Sequence, residues 1–228
     1  MSGDIYIPNI QRISHFWKGT EYAFERLYNQ YISFECKARA KLESQEPGTI
    51  LDIGANIGEF SLFCANRFVK SKIFAFEPDP IVHKCLQLNI QSFGMESRVT
   101  VLNMALSNRN ELGSFYIATS SADSSLIKPE TYSEIIDIET SRLDKFLNEA
   151  DISEVGLLKM DAEGFEPEVI QGLGKFTSCC KILTIDVSPE RNGASTLEDS
   201  QVLFNSEKFD QEIIRGQGNR IFLVVSLV

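Results

Sequence analysis

Apolar residues along the chain follow two patterns, one of helical spacing and one of short continuous runs. Near the start they recur at three- and four-residue steps, which predicts a helix from residue 20 to about residue 42 that Pro47 and Gly48 end. Farther on, apolar runs predict buried strands at residues 49–54, 72–76, 99–102, 156–160 and 182–187. The amphipathic stretches between these runs predict helices at residues 59–69, 80–93, 167–173 and 197–206.

The alternation of strands and helices predicts the architecture. Strands joined by helices form a mainly parallel sheet with helices on both faces. The final strands, at residues 211–214 and 221–227, are too close in sequence for a helical crossover, so we expect them to be antiparallel. We therefore predict one α/β domain over residues 49–228, preceded by a helical segment over residues 1–48.

Residues 107–142 interrupt this alternation. They are polar, with candidate strands at residues 114–118 and 136–139, and a short predicted helix at residues 144–149 follows them. Loop-like segments often carry specificity in enzymes and binding proteins. We therefore expect this insertion, together with the loop at residues 186–193, to shape a substrate pocket.

Composition and charge exclude several classes of protein. The net charge of −10 and the lack of any run of lysine or arginine disfavour binding to nucleic acid. The five cysteines are odd in number and form no C-x-x-C pair, so we expect reduced thiols rather than disulfides or a zinc cluster. The first residues lack the pattern of a secretory signal, and the longest apolar run is far too short to span a membrane. We therefore expect a cytoplasmic protein without membrane contact, whose oligomeric state stays open.

A glycine-rich turn follows the first predicted strand, where open α/β sheets bind their ligands. The turn carries Asp52, Gly54, Asn56 and Gly58 in the pattern D-x-G-x-x-x-G, not the G-x-G-x-x-G of dinucleotide sites. Glycines allow a cofactor to approach the backbone, and the helix that follows offers free N–H groups. The carboxylate of Asp52 would repel a pyrophosphate and attract a cation, which favours S-adenosylmethionine over NAD. A tight turn that binds no ligand is the alternative.

Two further strand ends carry candidate cofactor contacts. Glu77 ends the second predicted strand, where a carboxylate can accept hydrogen bonds from both ribose hydroxyls, unless it is a solvated surface residue. Asn103, Met104 and Ala105 end the third strand and are placed to border an adenine ring, although packing in the core explains them equally well. Together with the turn after the first strand, these positions predict a site for an adenosyl cofactor.

The fourth predicted strand carries a charge in its interior and two acids at its end. Alternation places Lys159 and Asp161 on one face of the strand, and Glu163 follows closely. Because burying an unpaired charge is costly, we expect Lys159 to have a carboxylate partner, with Asp161 or Glu163 as the nearest candidates. These residues form either a structural ion pair or part of a substrate pocket.

Taken together, these motifs resemble those of the FkbM family of S-adenosylmethionine-dependent methyltransferases. The segments that carry the resemblance are LDIGANIGEFS (51–61), AFEPDP (75–80), MALSN (104–108), SSL (124–126), TSRLD (140–144) and LLKMDAEGFEPEVIQG (157–172). The resemblance implies an α/β, Rossmann-like class I methyltransferase fold, in which a seven-stranded, mostly parallel sheet ends in an antiparallel strand. It also implies S-adenosyl-L-methionine as cofactor and O-methylation of a hydroxyl group on a small molecule, sugar or glycan.

Carried over to this sequence, the resemblance implies residues for each part of the cofactor. The residues expected to hold the methionine part are Asp52, Gly54, Asn56 and Gly58, and Ala55 of the same turn is expected to bind the cofactor as well. Glu77, with Pro78 beside it, is expected to hold the ribose, next to the adenine contacts named above. The sequence departs from the family at the fifth strand, which often ends in glutamate there and carries Asp186 at its end here.

Methyl transfer to a hydroxyl group needs a base that takes the proton of the acceptor. Asp161 is our first choice for this base and Glu163 the second, with Lys159 counted in the same catalytic group. His15 would require the N-terminal segment to fold over the pocket, and His83 is expected on the surface.

Several alternatives stay open at this point. A divalent cation held by Asp161, Glu163 and Asp186 could replace the base, although we expect no metal. A binding module that holds the cofactor without turnover is another alternative, which the intact motif at residues 157–172 disfavours. A dehydrogenase is disfavoured by the missing G-x-G-x-x-G. The sequence does not identify the methyl acceptor.

Overall fold

The computed structural model of the protein describes residues 4–7, 20–33, 36–119 and 123–228, and for residues 20–24 it describes the backbone only. The candidate base His15 therefore lies outside the described residues. The helices are α1 (Thr20–Tyr31), α2 (Lys37–Ser44), α3 (Glu59–Arg67), α4 (Pro80–Ser92), α5 (Leu143–Glu149), α6 (Glu166–Leu173) and α7 (Leu197–Val202). The strands are β1 (Thr49–Ile53), β2 (Lys72–Phe76), β3 (Val99–Leu102), β4 (Ala105–Ser107), β5 (Glu111–Ile117), β6 (Glu134–Arg142), β7 (Leu157–Met160), β8 (Ile182–Asp186), β9 (Phe209–Arg215) and β10 (Ile221–Leu227).

A seven-stranded sheet forms the centre of the fold, with the strand order β3-β2-β1-β7-β8-β10-β9. Strands β3, β2, β1, β7 and β8 pair in parallel. Strand β10 pairs antiparallel with both of its neighbours, β8 and β9. This topology confirms the expected mostly parallel sheet with an antiparallel last strand.

The predicted helix over residues 20–42 is wrong as a single element, because α1 ends at Tyr31 and α2 begins at Lys37. The last carbonyl of α1, on Tyr31, accepts a hydrogen bond of 2.6 Å from the hydroxyl group of Thr184 on β8. The carbonyl of Ile32 accepts one from the Arg39 guanidinium at 2.8 Å. These hydrogen bonds satisfy carbonyl groups that have no partner within a helix at its C-terminal end. The apolar spacing continues across the break, because both helices bury residues in the same core.

Residues 107–142 contain both candidate strands, as parts of β5 and β6, in a region that the sequence otherwise predicts as polar loop. Strands β4, β6 and β5 make a second, three-stranded sheet, in which β6 pairs parallel with β4 and antiparallel with β5. Gly172 of α6 packs so closely on β4 that an added Cβ would lie 2.2 Å from the carbonyl oxygen of Ser107. Leu106 and Phe115 are buried, whereas Leu112 is exposed, so this sheet is apolar on one side only. Its weak apolar pattern follows from that single buried face.

The hydrophobic core lies on both faces of the central sheet. One cluster combines Ile50 and Ile73 of the sheet with buried residues of α1 to α4, so the two N-terminal helices share a core with the sheet. The other cluster combines Leu51 and Leu158 with residues of α5 and α6. All five cysteines are free thiols. No helix in the described parts of the chain has the length and apolar composition needed to cross a bilayer.

Candidate functional site

A cavity of about 450 Å³ opens at the carboxyl ends of β1, β2 and β7, which is where open α/β sheets bind ligands. Its volume lies within the range of roughly 300–1,000 Å³ that is usual for small-molecule sites. The predicted site residues that line it are Gly54, Ala55, Asn56, Glu77, Pro78, Met104, Ala105, Lys159, Asp161 and Glu163. Asp52, Gly58 and Asn103 are not part of this lining.

The turn after β1 requires glycine for two different reasons. Gly54 has a φ of +68°, and an added Cβ would lie 1.8 Å from the carbonyl oxygen of Asp161. Gly58 has a φ of +98° and sits at the N-terminus of α3, where an added Cβ would lie 2.6 Å from Leu86 Cδ1 on α4. Gly54 thus brings the loops after β1 and β7 together at the cavity, while Gly58 permits helix packing behind it.

Glu77 presents a buried carboxylate whose two oxygens are each held by one backbone amide. The N–H of Asn56 donates to Oε2 and the N–H of Asp79 donates to Oε1, both at 2.9 Å. Each oxygen therefore keeps a lone pair for a ligand hydroxyl group. Burial raises the pKa of Glu77 to about 7. Asn103 supports this arrangement from behind, because its side-chain amide donates to the carbonyls of Glu77 and Pro78.

The prediction that Lys159 pairs with Asp161 or Glu163 is wrong, because Lys159 forms its ion pair with Asp52. The two residues are register neighbours on β7 and β1, and their charged atoms lie 3.2 Å apart. Lys159 also donates to the carbonyls of Ile53 at 3.2 Å and Gly54 at 2.6 Å. Asp52 is fully buried and accepts a hydrogen bond of 2.6 Å from the Ser61 hydroxyl group. The carboxylate of Asp52 therefore faces Lys159 and Ser61.

Asp161 is linked to two elements that are distant in the sequence. Its Oδ2 accepts a hydrogen bond from the hydroxyl group of Tyr31, which ends α1, 130 residues earlier. The same oxygen lies 3.6 Å from the guanidinium of Arg220, just before β10. Its Oδ1 is buried and has no hydrogen-bond partner among the described residues. Asp161 thus offers one unused acceptor atom in the cavity wall.

Arg220 forms ion pairs with three carboxylates at once. Besides Asp161, it contacts Asp186 at 3.0 Å and Glu190 at 2.7 Å. Burial and the charge of Asp161 raise the pKa of Asp186 to about 6 and that of Glu190 to about 10. The carboxylate oxygens of these three acids lie within 4.8 Å of one another, the spacing of a metal site. This set of acids contains Glu190, whereas the sequence suggested Glu163 as the third metal ligand. A metal ion bound by the three acids would have to displace the guanidinium of Arg220.

Glu163 lies in the loop after β7, two residues beyond Asp161. Its backbone has a φ of +50°, and its carbonyl accepts a hydrogen bond of 2.8 Å from the Ser125 hydroxyl group. Burial, together with the charges of Asp161 and Glu190, raises the pKa of its side chain well above the ordinary value. This shift favours the protonated carboxyl group of Glu163 over its carboxylate.

Four residues that shape the site were not singled out in the sequence. Glu166 holds the loop after β7, since its Oε1 accepts from the N–H groups of Ala162 and Gly164, both at 3.0 Å. It belongs to the segment 157–172, so the motif contained a signal for it.

The other three residues, Tyr31, Glu59 and Arg220, line the cavity. Tyr31 and Arg220 lie outside every motif, whereas Glu59 lies within the first one.

The buried acids predict how stability depends on pH. Burial raises the pKa of Glu59 to about 8 and those of Glu77 and Glu166 to about 7. These three carboxyl groups bind protons more tightly in the folded protein than in the unfolded chain. The stability that they contribute is therefore complete below about pH 4.5 and is lost as the pH rises to about 8. We expect the free energy of unfolding, measured with urea, to fall from pH 5 to pH 8. Burial lowers the pKa of His83, which is half-buried on α4, so this residue makes a smaller contribution to the free energy of unfolding that rises with pH.

The variant Glu166→Gln provides the control for this pH dependence. The amide cannot titrate, so the fall in the free energy of unfolding between pH 5 and pH 8 should be shallower in the variant than in the parent protein. A free energy of unfolding that rises over this range would contradict the expectation.

Comparisons with known proteins agree with this architecture. The sequence model of the methyltransferase FkbM domain matches residues 52–214. The methyltransferase sdnD of Sordaria araneosa is 29% identical over 177 residues, which cover 64% of this chain and 68% of that protein. The 2-O-methyltransferase NoeI of Sinorhizobium fredii is 29% identical over 197 residues, covering 77% and 69%. The crystal structure of precorrin-6y C5,15-methyltransferase from Geobacter metallireducens covers 98% of both chains with a TM-score of 0.53 at 13% identity. That likeness concerns the fold, which is the class I methyltransferase fold.

Proposed function

Because the chain belongs to the FkbM family of methyltransferases, we propose that it transfers a methyl group from S-adenosylmethionine to a hydroxyl oxygen of a small molecule or sugar. The observation that carries this proposal is the carboxylate of Glu77, buried at the cavity with one free lone pair on each oxygen. That geometry suits the two hydroxyl groups of a ribose. The similarity to a 2-O-methyltransferase supports a hydroxyl group as the acceptor.

The residues of the cavity fit the cofactor. Gly54 leaves the backbone of the turn open, since a side chain there would collide with Asp161. Met104 and Ala105 offer an apolar border for an adenine ring, beside Pro78 and Glu77. When bound, S-adenosylmethionine supplies an electrophilic methyl group on a sulfonium. Lys159 keeps the turn in place through its bonds to the carbonyls of Ile53 and Gly54, so we assign it a positioning role.

Asp161 and Glu163 act on the acceptor in this proposal. Asp161, ion-paired to Arg220 and bonded to Tyr31, accepts the proton of the acceptor hydroxyl group at Oδ1. Glu163, whose protonated form is favoured by burial, donates a hydrogen bond to a neighbouring oxygen of the acceptor. The acceptor itself lies against the small sheet, where Phe115 and Leu126 line the cavity.

Cofactor binding tests the proposal first. Isothermal calorimetry should show that S-adenosylmethionine and S-adenosylhomocysteine bind, whereas NAD does not. The variant Glu77→Gln loses charge-assisted hydrogen bonds to the ribose, so both affinities should fall by about tenfold to a hundredfold. Glu96→Gln, at an exposed position in the turn between α4 and β3, should bind as the parent protein does. Binding of NAD, or of no adenosyl compound, would refute the cofactor assignment.

Methyl transfer itself is tested with a labelled cofactor. The protein is incubated with S-adenosylmethionine that carries a tritiated methyl group and with a panel of glycosides and polyhydroxylated lactones. Label in a hydroxyl-bearing product supports the proposal. Binding of the cofactor without transfer to any acceptor of the panel would favour the alternative of a binding module.

A further inference from the structure

Glu59 is a buried acid whose partner is missing. It occupies the first turn of α3, lines the cavity, and is only 3% exposed. Its Oε1 has no hydrogen-bond partner among the described residues. A buried polar atom without a partner is costly and is rare in folded proteins. The position therefore fits a ligand atom that donates a hydrogen bond to this oxygen.

The carboxylates of Asp52 and Glu77, which flank the turn after β1, already have partners within the protein. Lys159 binds both the carboxylate of Asp52 and the carbonyl of Gly54, and Ser61 donates to the second oxygen of Asp52. Glu77 is placed for a ribose, since it closes the other side of the turn through Asn56. Asp52 and Asp161 thus each have a cationic partner, Lys159 and Arg220, whereas the described residues give Glu59 none.

We propose that the carboxylate of Glu59 binds the α-ammonium group of the cofactor's methionine part. This inference rests on the proposed function, because it assumes an adenosyl amino acid in the cavity. A primary ammonium group carries three N–H donors and a positive charge, which suit a buried carboxylate. An ammonium group of this kind is sufficient to satisfy the unpartnered oxygen of Glu59 at the cavity.

The charges around Glu59 support this assignment. The charged groups that face it are Lys159 on β7 and Asp52 on β1, and they are paired with each other. Glu59 therefore has no counter-ion of its own in the described structure. Burial raises its pKa to about 8, so at pH 7 most of the free protein carries a proton on Glu59. An ammonium group bound to the carboxylate favours the ionised form, and binding should release that proton.

The test compares two ligands by isothermal calorimetry. S-Adenosylhomocysteine carries the amino acid part, whereas 5′-methylthioadenosine carries the adenosine part alone. In Glu59→Gln, the affinity for S-adenosylhomocysteine should fall by about tenfold or more, and that for methylthioadenosine should stay within about twofold. Glu59→Asp, which keeps the charge, should lose less affinity for S-adenosylhomocysteine than the glutamine variant.

Proton release gives a second readout that needs no variant. The heat of binding to the parent protein is measured at pH 7 in two buffers that differ in their enthalpy of ionisation. S-Adenosylhomocysteine should release more protons than methylthioadenosine, because the contribution of Glu77 is common to both ligands. Equal proton release, together with an unchanged affinity of Glu59→Gln, would overturn the inference while the cofactor assignment stands. If neither ligand binds the parent protein, the proposed function fails and the inference fails with it.

Discussion

The variant Asp161→Asn is expected to lower kcat by about 100-fold or more, while its affinity for S-adenosylhomocysteine stays within about twofold of the parent protein. General-base catalysis contributes factors of this size, and an amide cannot accept the proton of the acceptor. The amide oxygen still accepts the hydrogen bond from the Tyr31 hydroxyl group, so the local structure is retained. Turnover is measured as the formation of S-adenosylhomocysteine with an acceptor from the panel, and affinity by calorimetry.

Glu163→Gln is the matched control for the base. Burial raises the pKa of Glu163 and so favours its protonated form, and glutamine is a neutral replacement that retains a hydrogen-bond donor. We therefore expect a far smaller loss of kcat than in Asp161→Asn. If the glutamine variant loses more activity than the asparagine variant, the base is Glu163 and our assignment is wrong.

The variant Lys159→Met is expected to lower the free energy of unfolding by about 3–5 kcal/mol. The side chain of Lys159 is 4% exposed and that of Asp52 is 0% exposed, so removing the cation leaves a buried carboxylate without its counter-ion. The carbonyls of Ile53 and Gly54 lose a donor at the same time. Urea unfolding at pH 7 measures the change.

Two further variants separate the charge effect from the loss of a side chain. Replacing Asp52 by Asn together with Lys159→Met removes both charges, and this double variant should be more stable than Lys159→Met alone. Lys145→Met removes one partner of an exposed pair with Glu149 and should change stability by less than about 0.5 kcal/mol. A double variant that is less stable than the single variant would show that the buried charge is not the main cause.

The strands of the central sheet were predicted almost to the residue. Residues 49–54 and 72–76 correspond to β1 (Thr49–Ile53) and β2 (Lys72–Phe76). Parallel strands that are covered on both faces consist of continuous apolar runs, and such runs are visible in the sequence. The second sheet was harder to predict because only one of its faces is buried. The end of α1 was also hard to predict, because the carbonyls there bond to side chains that lie outside this helix, those of Thr184 and Arg39.

The sequence by itself determined the parts of the site whose constraints are local. Gly54 and Glu77 follow directly from strand ends, where a tight turn and a carboxylate beside it are set by neighbouring residues. Only the tertiary structure decided which charges meet. Nearness in the sequence favoured Asp161 or Glu163 as the partner of Lys159, but parallel pairing of β7 with β1 places Asp52 beside it.

The same reason explains why the surroundings of Asp161 were not predicted. Tyr31 ends the first helix and Arg220 precedes the last strand, and neither lies in a motif. They reach Asp161 because β10 inserts next to β8 and because α1 packs over the sheet. Ion pairs and hydrogen bonds act over a few ångströms of space, and the distance along the chain does not enter. The sequence therefore determines the candidate groups, whereas the fold determines how each of them is paired.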